Sequence, residues 1–125
     1  MSFAEFVQDQ LPAMRRYAFA TLESLDRADE CLAHVIRGLL EETIDAGYSS
    51  PPLSRADLFA RLHRTMCAVM PERASDRNLQ VILLLEMEGF SVDKVGHIIG
   101  APLADLWRLV NSPEYVSRCS AWLKT

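Results

Sequence analysis

Residues 90–110, FSVDKVGHIIGAPLADLWRLV, decide how this chain is read. Ser91 is a capping residue, and Val92, Val95, Ile98 and Ile99 recur at three- and four-residue steps, so the spacing predicts a short amphipathic helix. Gly100 supplies a turn, and Leu103, Leu106 and Val110 then mark the expected inward side of a second helix. Helix, glycine turn and helix form the helix-turn-helix layout, whose second helix often lies in the DNA major groove. The outward positions here are Pro102, Asp105, Trp107, Arg108 and Leu109. Only Arg108 is a strong partner for phosphate or guanine, and Asp105 opposes phosphate unless it reads a cytosine amino group. An aromatic residue beside aliphatics, with little charge, is the composition expected at a protein interface. Packing of Trp107 against a central helix at residues 78–89 fits the same pattern equally well.

The pattern stays helical on both sides of this stretch. NLQVILLLEMEG, residues 78–89, is apolar nearly all round, as expected for a central helix buried on several sides and ended by Gly89. Beyond the motif, Asn111-Ser112-Pro113 stops the second helix, and residues 114–124 add an amphipathic piece carrying Tyr115, Cys119, Trp122 and Leu123. Towards the N-terminus, Phe3, Phe6, Val7, Leu11, Met14, Tyr17, Ala18 and Leu22 form a helical stripe, and Pro12 is expected to divide it into a leader and a main helix. Ser24 or Asp26 can cap the next helix, whose apolar face is Cys31, Leu32, Val35, Leu39, Leu40 and Thr43 and whose end falls near Gly47. Ser54 and Asp57 have capping-box spacing before a third helix with the face Leu58, Leu62, Thr65, Met66 and Val69. The short polar stretch PERASDR, residues 71–77, reads as a linker. The expectation is an all-α chain of two small units, residues 1–70 and 78–125, joined by residues 71–77.

Bulk properties narrow the functional classes. The chain has 125 residues, half of them apolar, enough for a packed core. Its longest apolar runs, such as Val81 to Leu85, are far short of the ~18 residues of a membrane span. Glu5 and Asp9 stand where an export signal would be basic and then apolar, so a cytoplasmic location is expected. Residues 1–70 hold seven basic and ten acidic side chains and residues 71–125 six and seven, so neither half has the basic excess that supports nucleic-acid binding. Cys31, Cys67 and Cys119 lack metal-type spacing, and Cys31 with His34 gives only two of the ligands a metal needs. Asp57, His63 and Cys67 share a helix, but Asp57 and His63 are six apart and do not stack. No phosphate loop, CxxC or HExxH occurs, so neither an enzyme nor a cofactor is expected.

Three stretches carry a family resemblance. LPAMRRYAFATLESLDRADECLAHVIRGLLEE, residues 11–42, resembles the opening of region 2 of small extracytoplasmic-function sigma factors, and LFARLHRTM, residues 58–66, resembles the segment that closes it. Residues 78–110 resemble region 4, including Glu-Gly-Phe-Ser before the helix-turn-helix. The loss of charge on the reading helix and the short linker make the chain similar to the sigma-factor-like domain of PhyR-type general stress regulators. That resemblance implies a sigma mimic that binds a small NepR-type anti-sigma factor and frees the true sigma factor, with DNA binding lost. It also implies contacts from the acidic second helix, so the expected interface residues are Asp26, Asp29, Leu32, Val35, Leu103, Leu106, Trp107, Arg108 and Leu109. PhyR-type proteins carry a C-terminal receiver domain, so a receiver domain is a further expected partner if the sigma-like part acts apart from it. An active minimal sigma factor that binds core RNA polymerase and promoter DNA, and a helical oligomerisation module, are the alternatives.

Overall fold

The computed structural model describes residues 2–47 and 53–123, with the side chains of all but Trp122 and Leu123. Among these residues there are seven α-helices and no strand: α1 Phe3–Leu22, α2 Leu25–Asp45, α3 Arg55–Val69, α4 Arg77–Ile82, α5 Val92–Ile99, α6 Leu103–Val110 and α7 Pro113–Leu123. A single π-helical turn, Leu83–Met87, continues α4. The all-α expectation holds. The expected contribution of Trp122 and Leu123 to the last helix's face lies outside the described side chains, as do residues 48–52 that follow Gly47.

Hydroxyl and carboxylate caps start the helices where the sequence placed them. Ser24 Oγ accepts from Arg27 N at 3.2 Å, which settles the choice between Ser24 and Asp26, and Ser91 Oγ accepts from Lys94 N at 3.3 Å. At α3 the capping box is complete, with Ser54 Oγ accepting from Asp57 N at 3.1 Å and Asp57 Oδ2 accepting from Ser54 N at 2.9 Å.

Pro12 does not divide α1, which runs unbroken from Phe3 to Leu22. A mid-helix proline costs about 3 kcal/mol, but Met14, Tyr17, Ala18 and Leu22 are all buried on the same helix and outweigh it. Pro12 itself is exposed, on the side of α1 away from the core.

One continuous cluster of buried side chains joins α1, α2, α3, α4, α5 and α6. Its centre is Phe59, fully buried, with its ring 5.8 Å from Tyr17 and 5.1 Å from Phe90. Phe59 lies off the stripe expected on α3 because α3 is covered on more than one side, by α1 and α2 and also by α5. Residues 71–75 form a packed turn, in which the Met70 carbonyl accepts from Arg73 N and Ala74 N and the buried Ala74 accepts from the Gln80 amide at 2.7 Å.

In the helix-turn-helix, Gly100 adopts φ +69°, a left-handed conformation that favours glycine. Gly96 serves a different purpose, since a Cβ there would stand 3.1 Å from the Ala101 carbonyl oxygen and 3.3 Å from Leu106 Cδ1. It is the point where α6 meets α5. The inward stripe of α6 is not the expected Leu103, Leu106 and Val110. Leu106 is buried, Leu109 and Val110 are half-buried against the core, and Leu103 is 43 % exposed. The helix is rotated so that Leu103 shares a side with Trp107, one turn on. Leu40 of α2 is likewise exposed rather than part of the inward face, as is Ile44 one turn later.

Candidate protein-docking surfaces

Two exposed apolar surfaces stand out, and the first is the seam between α1 and α2. A groove of about 750 Å³ runs along it, floored by Leu11, Pro12, Leu32 and Ile36 and flanked by Phe19 and Leu25. Phe19 and Leu25 are both nearly half exposed. Past Gln8, Leu11 and Ile36 the groove continues into a second hollow of about 470 Å³ lined by Phe3, Val7, Leu39, Leu40 and Thr43. From Phe3 to Phe19 the seam follows α1 for roughly 24 Å at 1.5 Å per residue, the length of a helix of about 16 residues. α3 covers the other side of the α1–α2 pair, so a helix laid in the seam would complete a four-helix arrangement.

The charged side chains that line the seam are Arg15, Arg16 and Asp29, while the wider surface of α1 and α2 has an acidic excess. Residues 1–45, which comprise α1 and α2, hold nine acidic and four basic side chains. Several of these are paired at the surface. Arg15 donates to Asp29 at 2.8 Å across the groove and holds that carboxyl below its ordinary range, and Arg27 pairs with Glu30. Arg61 of α3 holds Glu42 below its ordinary range in the same way. The acidic excess of the surrounding surface, rather than the groove lining, favours the approach of a basic occupant, and exposed pairs of this kind affect orientation and association rate more than affinity.

The second surface is the outer side of α6. Leu103 and Trp107 are 43 % and 50 % exposed at adjacent turns of the helix. Arg108, the one basic residue of this helix, lies 3.5 Å from Asp105, which offsets its charge. The half-exposed Trp107 is free of the core, so of its two readings the exposed one matches the geometry.

The residues expected at an interface are therefore divided. Asp26, Asp29, Leu103, Trp107 and Arg108 are exposed, and Leu32 is reached from the groove floor. Leu106 is a core residue and Leu109 is turned partly inward, while Val35, buried like Leu32, is reached from a different hollow of about 520 Å³ between α2 and α3 that it lines with His34, Gly38 and Thr65. Phe19, Leu25 and Ile36 belong to the groove and were not among the expected residues. Their signal in the sequence is that they are apolar residues standing off the expected stripes, with Phe19 two helical turns after Leu11 on the same side of α1.

A buried polar group links α1 to α3. His63 Nδ1 and the Tyr17 hydroxyl share a hydrogen bond at 3.1 Å, and His63 Nε2 lies 3.5 Å from Cys67 Sγ. Burial, aided by the charge of Arg77, pushes the imidazole down to about 4, while burial raises the thiol of Cys67 and the phenol of Tyr17. A raised thiol is a poor nucleophile, so the trio acts as a polar tie between α1 and α3. Among the described residues no group of His, Cys, Asp and Glu could hold a metal ion, and no helix is long and apolar enough to cross a membrane. No family model, curated protein or solved structure matches the chain.

Proposed function

We propose that the chain is a sigma-factor mimic that binds a small NepR-type anti-sigma factor and so releases an extracytoplasmic-function sigma factor. The observation that carries this reading is α6, which has the position of a DNA-reading helix but offers Leu103 and Trp107 outward and sets Asp105 beside its single arginine. Such a surface lacks the charge with which a protein neutralises phosphates and has the aromatic anchor of a protein interface. The α1–α2 seam supports the same reading by offering a helix-length apolar groove within an acidic surround. A partly disordered partner that folds a basic amphipathic helix into that groove would use helix-in-groove recognition. A receiver domain is a further proposed partner.

A tagged pull-down at moderate salt, with copurifying proteins identified by mass spectrometry, tests the proposal. The expected result is a small anti-sigma protein without polymerase. The purified pair should then lose its complex when the cognate sigma factor is added in excess. Recovery of the large polymerase subunits, or salt-sensitive binding to promoter DNA, would overturn it in favour of a working sigma factor.

A further inference from the structure

The groove and the helix-turn-helix are connected through one buried carboxylate. The Glu88 side chain is 2 % exposed. It accepts from Arg16 Nε at 3.1 Å and Arg16 Nη2 at 2.7 Å, a two-point grip from α1, and from Arg55 Nη2 at 3.2 Å on α3. Arg55 Nη1 donates to the Glu88 backbone carbonyl at 2.8 Å, and its Nε donates to Gln10 Oε1 of α1 at 2.7 Å. The same guanidinium lies 4.5 Å from the centre of the Phe90 ring and 5.0 Å from that of Phe59. A second, exposed link runs from α3 to α5, where Asp57 Oδ1 and His97 Nε2 are 2.9 Å apart.

Arg16 has two duties. It lines the α1–α2 groove, and it holds Glu88. With its head fixed on Glu88, its methylene stem is fixed as a wall of the groove. Released, the side chain is free to lie across the opening. On the other side, Glu88 follows the π turn and is separated from the Ser91 cap of α5 only by Gly89 and Phe90. Its N–H donates to the Leu83 carbonyl at 2.9 Å, and the Phe90 N–H donates to the Leu84 carbonyl at 3.0 Å, so the short segment between the carboxylate and the start of α5 is pinned to the π turn.

We infer that the Arg16–Glu88–Arg55 clasp couples the two docking surfaces, so that filling the α1–α2 groove tightens the seating of α5 and α6, and a firmly seated α5–α6 keeps the groove open. This regulation rests on the reading of the groove as a docking surface. Glu88 acts as a positioning residue that touches no partner. Coupling of this kind is reciprocal, so loosening either side weakens the other by the same factor.

The test is hydrogen exchange read by mass spectrometry on the full chain, with and without an 18-residue synthetic amphipathic peptide that has leucines at helical spacing and lysines elsewhere. In the unsubstituted protein the peptide is expected to slow exchange along α1 and α2 and also, by about tenfold, along α5 and α6. In Glu88→Gln, which keeps the shape and removes the charge, the slowing along α1 and α2 should persist while that along α5 and α6 disappears, and the peptide should bind about tenfold more weakly. Equal slowing of α5 and α6 in both proteins would overturn the coupling. Absence of any slowing along α1 and α2 would count against the docking reading instead. The free chain then decides the coupling alone: Glu88→Gln, and the surface variant Arg16→Gln, should speed exchange both in residues 8–19 and in residues 83–110. Acceleration confined to residues 83–110 would refute it.

Discussion

Lowering the pH from 7 to 4.5 should destabilise this protein through His63. The ring is buried, with Tyr17 on Nδ1 and Cys67 near Nε2, and its pKa falls from 6.5 to about 4 on folding. Below pH 6.5 the unfolded chain binds a proton that the folded chain refuses until about pH 4. The unfolded state thus binds more protons throughout that window, and stability falls as pH falls. With those two values, the loss between pH 7 and pH 4.5 works out at about 2.5 kcal/mol. The carboxylates held low by partners, such as Asp57 at about 2 with the Ser54 amide, His97 and the Ser54 hydroxyl as its partners in that order, keep their charge in this range. Urea unfolding at pH 7, 5.5 and 4.5 reads the effect, and His63→Gln isolates it because His34 and His97 remain. The variant should show at least 2 kcal/mol less pH dependence over the window, by the same arithmetic. Equal slopes in the two proteins would show that His63 carries its proton inside the fold and would refute the account of its burial.

Three further outcomes are expected. Trp107→Ala should change unfolding free energy by less than about 0.5 kcal/mol, since the ring is half exposed, yet weaken binding of the anti-sigma partner by about 2 kcal/mol or more in calorimetry. Tyr115→Phe should raise stability by about 1 kcal/mol in urea unfolding, because the buried hydroxyl has no hydrogen-bond partner among the described residues. Gly96→Ala should lower stability by about 1 kcal/mol net. The new methyl crowds the Ala101 carbonyl and Leu106, a cost of about 1–3 kcal/mol that exceeds the ~1 kcal/mol gain in helix propensity.

What could be read from the sequence was local. The caps Ser24, Ser54 and Ser91 and the turn at Gly100 are set by interactions spanning three or four residues, and each is where its neighbours place it. Features that depend on what lies across the chain were not legible. Pro12 reads as a break until the burial of Met14 and Tyr17 is known, and Leu103 reads as inward until the rotation of α6 is known. Phe59 escaped because a single stripe describes a helix covered on one side, and α3 is covered on several. The groove escaped for the opposite reason: periodicity identifies apolar positions such as Leu11 and Leu40 but not whether a helix of the same chain covers them. Glu88 is the clearest case. An acidic residue before a glycine reads as solvated, and only the arrival of Arg16 and Arg55 from distant positions makes it a buried junction.

The π turn at Leu83–Met87 gives that junction an unusual dependence on chain length. A π turn accommodates one residue more than the α-helix that would otherwise continue. Deleting any one residue of Leu83–Met87 would allow an ordinary helix with its apolar character intact. Glu88 would then still point at the two arginines that hold it, because the residue lost is the extra one the π turn absorbs, whereas a deletion in the regular turns of α4 would swing it about 100° away. The join between the front and back of this molecule thus depends on where a residue is lost: a codon missing from the π turn leaves it in place, and one missing from α4 separates it with every contacting side chain still in the gene.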